Sequence, residues 1–171
     1  GVRQCDAVAK IYSTLISGTK EYGGDYSSIV PLIPTGKGTS ASHLSWTDDK
    51  FVEGEASIIE ISGVYKKYHC PMARTVLLGK PDQKKIDTMK RTREALQAGI
   101  DATKPGNTAD DVAQPFWKVL DKYGIEKKSR TGYSIGIGYP PDWGEHTLNI
   151  QKGDKTILKE NVCFHMIAVM Q

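Results

Sequence analysis

Cysteine is scarce: only Cys5, Cys70 and Cys163 occur in the 171 residues, and no two form a Cys-x-x-Cys pair. That spacing suggests neither a disulfide framework nor a zinc knuckle, and a reducing cytoplasm is the expected compartment. Long hydrophobic runs are missing too. No stretch approaches the roughly 18 to 20 apolar residues of a membrane span, and the first residues lack the pattern of a signal peptide. Charge of one sign is modest: 23 Lys and Arg against 20 Asp and Glu leave a formal charge of +3 and a pI near 8.7. A nucleic-acid binder would show clustered positive charge instead. Nucleotide motifs are also absent. Gly132, Gly136 and Gly138 do not have dinucleotide spacing, prolines follow them where a helix should begin, and no P-loop occurs.

What remains is the composition of one folded domain, with 39% apolar and 25% charged residues. Asp6 to Ser17 places Ala7, Val8, Ile11, Leu15 and Ile16 at helical spacing, with Gly18 as a stop. Tyr26 to Thr35 is β-rich but broken by prolines, which predicts incomplete or edge pairing. Ala56 to Ile61 reads as a buried strand, with a turn at Gly63, a hairpin through Val64–Tyr68 and a third strand at Arg74–Gly79. Asp82 to Ala102 has the pattern of a long amphipathic helix with a wet face. Pro105-Gly106 breaks it, Thr108 is placed to cap the next helix, and that helix runs to about Tyr123. Pro115 within it calls for a position near the first turn or a kink.

A weak internal repeat appears when Gly1 is laid on Gly106. Asp6 then meets Asp111, Ala7 meets Val112, Ile11 meets Phe116 and Leu15 meets Leu120. Each copy opens a helix that leads toward a glycine-containing β segment. Both ends read as cut, since the chain enters a helix almost at once and stops at Val169-Met170-Gln171 inside an apparent strand. A partial domain over residues 1–171 is expected, with an N-terminal domain and final strands elsewhere in a longer parent.

Four ordered landmarks carry a family resemblance. The segment from Gly132 to His146, with Tyr133, Gly136, Gly138, Pro140-Pro141-Asp142-Trp143 and Glu145-His146, resembles the glycine motif of the creatinase/methionine aminopeptidase ("pita-bread") superfamily. Together with Ser40-Ala41-Ser42-His43-Leu44-Ser45-Trp46 it looks specifically like the ectoine hydrolase branch. Ile58-Ile59-Glu60-Ile61-Ser62-Gly63 is similar to the strand that gives metallopeptidases their first aspartate ligand. Tyr68 to Thr75 is similar to their second ligand strand, and Leu158 to Ile167 to the strand that delivers a glutamate.

The resemblance implies an α+β pita-bread fold, with pseudo-twofold αβ repeats around a curved, mainly antiparallel sheet. It also implies a changed site. Tyr133 stands where a ligand histidine belongs, Pro71 replaces the second aspartate, Ile167 replaces a glutamate, Glu60 keeps a carboxylate, and the position of the last glutamate falls beyond Gln171. Hard divalent ions need several oxygen or imidazole donors, so no metal and no cofactor is expected. A carboxylate without a metal suits a protonated cyclic amidine, which a dication would repel.

On that reading Glu60 pairs with the amidinium and steers the attacking water or attacks the carbon itself, His43 transfers protons, and Tyr133 donates to the tetrahedral intermediate. Tyr68, Asp142, Trp143 and His165 shape the substrate pocket, with Trp143 offering a ring face to the cation. His69 and Cys70 are adjacent on a strand and point to opposite faces, which separates them as ligands. The implied activity is metal-independent opening of ectoine to N-acetyl-diaminobutyrate in a cytoplasmic homodimer, with a small cationic or zwitterionic substrate as partner. Alternatives are a creatinase-like amidinohydrolase, an Xaa-Pro dipeptidase-type metallopeptidase, or an inactive pita-bread module that binds peptide or protein.

Overall fold

The computed structural model describes residues 1–168; the expected strand at Val169–Gln171 lies outside them. The chain forms two compact units. The first holds Gly1–Pro81 and Ile135–Trp143, and the second holds Asp82–Ser134 and the described residues from Gly144 onward.

In the first unit, helix α1 spans Gln4–Ser17 and ends at Gly18, whose φ of 65° is the left-handed conformation that glycine adopts without strain. A 3₁₀ turn over Gly36–Ser40 precedes strands β1 (Ala56–Tyr65) and β2 (Tyr68–Leu77), which pair antiparallel without interruption from Ala56↔Leu77 to Tyr65↔Tyr68. The turn expected at Gly63 falls instead at Lys66 and Lys67, with φ of 47° and 68°. Two successive left-handed residues give the twist that a two-residue hairpin requires, a role glycine and asparagine usually take.

Lys67 is anchored through its side chain. Its Nζ lies 2.7 Å from Asp25 Oδ1 and 3.3 Å from the centre of the Tyr26 ring. The proline-broken stretch before β1 pairs only in part, as its sequence predicts: Leu32↔Glu60 and Thr35↔Ser57 are isolated bridges along the free edge of β1.

In the second unit, α2 (Gln83–Asp101) and α3 (Ala109–Lys122) carry the core. Ala109, Val112, Ala113, Phe116, Trp117 and Leu120 recur at helical spacing and are all buried, together with Ala95, Leu148, Ile150 and Leu158. Burying a side chain such as Phe116 stabilises by about 1.5–3 kcal/mol. Asp82 caps α2 by accepting from Lys85 N at 2.8 Å. Thr108 and Asp111 form a capping box at α3, and Pro115 sits in its second turn.

Strands β3 (Gly132–Tyr139) and β4 (Asp142–Ile150) form a hairpin that contributes to both units, and the short β5 (Phe164–Met166) pairs antiparallel with the start of β3. The strand expected over Leu158–Ile167 is therefore confined to three residues. Upstream, Leu158 lies in irregular chain and exchanges no ladder with β3; it donates from N to Asn107 O at 2.8 Å.

The repeat read from the sequence has a backbone counterpart in each unit. In the first, Gln4 N donates to Asp49 O at 2.9 Å and Phe51 N to Val2 O at 3.1 Å. In the second, Ala109 N donates to Thr156 O at 2.9 Å and Leu158 N to Asn107 O at 2.8 Å. Gln4 aligns with Ala109 and Val2 with Asn107 in the Gly1-on-Gly106 register, so the same two-bond brace holds the start of each helix.

Candidate active site

Glu60 is paired through its backbone on both sides. It sits in the middle of β1 and is 8% exposed, and its backbone is held from the free edge by Leu32: Leu32 N donates to Glu60 O at 3.0 Å and Glu60 N to Leu32 O at 2.9 Å. Strand alternation then sorts its neighbours. The β1/β2 register places Ile58, Ser62 and Val64 on the Glu60 face, opposite Thr75, Ala73, Pro71 and His69. Glu60 is the one carboxylate on that face of the hairpin, and His69 the one imidazole.

The same alternation places Tyr68. It pairs with Tyr65, an odd number of residues from Glu60, and so projects from the other face, where it is 60% exposed. The hairpin does not bring Tyr68 and Glu60 together. His69 and Cys70 do diverge, as adjacent strand residues must: His69 is buried and Cys70 exposed.

His43 lies in the exposed loop after the 3₁₀ turn, with a left-handed φ of 61°. The loop is fastened just beyond it, where Ile33 N donates to Leu44 O at 3.1 Å. Asp142 opens β4 half-buried, and Trp143 beside it is 1% exposed. The Trp143 ring packs 6.4 Å from that of His69 at 48°. The indole is thus almost fully enclosed.

Tyr133 and His165 belong to the second unit and stand opposite one another in the β3/β5 ladder, with ring centres 5.5 Å apart edge to face. The Arg130 guanidinium lies 4.3 Å from the centre of the Tyr133 ring and hydrogen-bonds Asn149 through Nη1. Gly132, next to Tyr133, is needed for this close pairing: a Cβ there would stand 2.6 Å from His165 O.

Sequence reasoning missed the role of His69. Its Nε2 lies 3.0 Å from Ser28 N and 2.9 Å from Ser28 Oγ, and its Nδ1 lies 2.8 Å from Lys67 O. The signal was available in the alternation that separates His69 from Cys70, but the partner at Ser28 is 41 residues away in the chain.

These strands, helices and braces define the pita-bread α+β fold. The prolidase of Pyrococcus furiosus superposes with a TM-score of 0.80 over 96% of this chain and 47% of its own, at 23% identity. The methionine aminopeptidase of Rickettsia prowazekii superposes at 0.61 over 71% of this chain and 49% of its own, at 19% identity. The chain belongs to metallopeptidase family M24, whose model matches residues 1–169. It is 43% identical to the ectoine hydrolase of Halomonas elongata over 98% of this chain and 43% of that protein. It is 40% identical to an uncharacterized hydrolase/peptidase of Sinorhizobium fredii, again over 98% and 43%. The chain thus spans less than half the length of these relatives.

The family is named for metallopeptidases. Among the described residues, no three His, Cys, Asp or Glu side chains are grouped to hold an ion. On the Glu60 face of the hairpin, Pro71 offers no side-chain donor and both nitrogens of His69 already meet protein partners.

Proposed function

We propose that the protein carrying this chain is a hydrolase that opens a small cyclic amidine of the ectoine type by adding water, without a metal ion. The observation that carries this reading is the 43% identity to the Halomonas elongata ectoine hydrolase along 98% of the chain. The site chemistry supports it. A protonated amidine carries a charge and N–H donors, which a carboxylate such as that of Glu60 binds through charge-assisted hydrogen bonds.

Glu60 binds the amidinium and steers water to its central carbon. One C–N bond of the ring then breaks, the departing nitrogen leaves as an amine, and the other nitrogen keeps the acetyl group. His43 carries the proton to the departing nitrogen. Its exposure and left-handed backbone place the imidazole in a loop rather than in a packed core. Tyr133 keeps the donor role implied by the resemblance, with its ring braced by Arg130 and His165. A cytoplasmic homodimer acting on a small zwitterion belongs to the same reading, in keeping with the free thiols of Cys5, Cys70 and Cys163.

The test is to incubate the protein at its complete natural length with ectoine in excess chelator and follow N-acetyl-diaminobutyrate. Product should form at the same rate with and without chelator. Absence of product, with dipeptide cleavage appearing on addition of manganese, would replace this reading by that of a metallopeptidase.

A further inference from the structure

We propose that His69 is a positioning residue: fixed as its Nδ1–H tautomer, it captures Ser28 and so sets the register in which residues 25–35 lie along β1 and brace Glu60. Its catalytic consequence rests on the role proposed for Glu60; its structural content does not.

The tautomer follows from the partners. A backbone N–H only donates and a backbone carbonyl only accepts, so Ser28 N–H at 3.0 Å requires a bare Nε2 and Lys67 O at 2.8 Å requires a proton on Nδ1. Both bonds are satisfied at once only by the neutral Nδ1–H ring. Lys67 O is itself fixed, since it also accepts from Gly138 N at 3.0 Å.

The need for such a clasp is visible in the edge pairing. Asp25 N donates to Val64 O at 2.9 Å, and seven residue steps later Leu32 exchanges both backbone bonds with Glu60. Over the same interval β1 takes only four steps, from Val64 to Glu60. Three residues therefore bulge out between the two anchors, and an unpinned bulge leaves register poorly specified. Ser28 lies within this bulge. The His69 ring, on the Glu60 face of the hairpin, holds it by backbone and hydroxyl together.

The neighbouring contacts reinforce the same point. Lys67 grips Asp25 and Tyr26 just ahead of Ser28, so two residues either side of Tyr68, Lys67 and His69, hold one short segment by its side chains and its main chain. A Pro-interrupted edge that cannot form a full ladder is thereby given a single register, and Leu32 meets Glu60 rather than a neighbour.

The test uses two near-isosteres that divide the functions of the ring. In His69→Gln the side-chain carbonyl reaches the place of Nε2 and can still accept from Ser28 N–H; in His69→Asn the side chain stops near Nδ1 and cannot. Amide hydrogen exchange at Ser28 and Leu32 in the full chain should accelerate at least tenfold in His69→Asn and remain within about threefold of wild type in His69→Gln. Ring opening by the complete protein should follow the same order, with kcat falling at least tenfold in His69→Asn while KM moves less, and recovering in His69→Gln. Equal exchange in both variants would overturn the proposal. Nitrogen-15 NMR of the wild-type imidazole supplies a measurement that needs no variant: a protonated Nδ1 with a bare Nε2 is expected, and a proton on Nε2 would overturn it. If the wild-type protein opens no ectoine, the functional reading fails while exchange and NMR still decide the role of His69.

Discussion

Gly138 can carry no side chain without disturbing His69: a Cβ built on it would lie 3.1 Å from both Cε1 and Nδ1 of the imidazole and 3.0 Å from Trp143 Cα. One glycine of the family motif is thus explained by packing rather than by backbone conformation. Three Gly→Ala substitutions then rank themselves. Gly132→Ala meets a backbone oxygen at 2.6 Å and should destabilise most, while Gly138→Ala should cost about 1–3 kcal/mol as an overpacked site. Gly63→Ala, with nothing within 4 Å, should be neutral or slightly stabilising. Thermal unfolding checks the order, with roughly 2–4 °C of Tm per kcal/mol for a chain of this size.

Replacing Glu60 by Gln keeps shape and removes charge. Ring opening should fall by a factor of about 10²–10⁴, the usual contribution of a group that directs proton transfer to or from water. The fold should be retained, because the substitution conserves the side chain's volume. A variant within tenfold of wild-type turnover would remove Glu60 from the chemistry, and a collapsed Tm would show that its role is structural.

The helices, their stops and the repeat were legible in the sequence because each depends on local signals: apolar spacing in α1 and α3, Gly18, and Thr108 with Asp111. The turn of the first hairpin was not. Gly63 advertises a bend, but β1 continues through it, and the left-handed pair Lys66-Lys67 is made tolerable by tertiary anchors on Asp25 and Tyr26 that no local window contains. The face that Tyr68 takes follows from that turn, since the face a strand residue occupies depends on where the turn sets the pairing. Glu60 was singled out by its motif, whereas His69 needed Ser28, a partner supplied by a distant, irregular edge. Trp143 shows the remaining gap: sequence marks an aromatic residue beside the motif, and only packing tells that its ring is enclosed.

The two capping boxes of the repeat differ in quality. At α3, Thr108 N donates to Asp111 Oδ2 at 2.8 Å and Asp111 N returns a bond to Thr108 Oγ1 at 3.2 Å. At α1, Arg3 N reaches Asp6 Oδ2 at 3.3 Å, and the Arg3 and Asp6 side chains pair in solvent. Thr108→Ala should therefore cost about 0.5–2 kcal/mol, and Asp111→Ala should exceed Asp6→Ala in urea unfolding, because exposed ion pairs contribute at most about 1 kcal/mol.

Acid stability should depend on Asp110. This residue is only 9% exposed and holds three partners: Lys155 Nζ at 2.7 Å, Gly153 N at 2.8 Å and Gln114 Nε2 at 2.9 Å. The hydrogen bond from Lys155, then those from Gly153 and Gln114, hold its carboxyl at a pKa of about 2, below the ordinary 3.8. A carboxyl whose folded pKa is depressed binds its proton more readily in the unfolded chain. Its contribution is fully present above about pH 4 and is lost as pH falls toward 2. Asp110→Asn should remove that share of the pH dependence: the variant should be less stable than wild type at pH 6, and the difference should shrink steadily between pH 4 and pH 2. Urea midpoints measured across that range check the sign, and parallel curves for the two proteins would show that Asp110 does not titrate with folding.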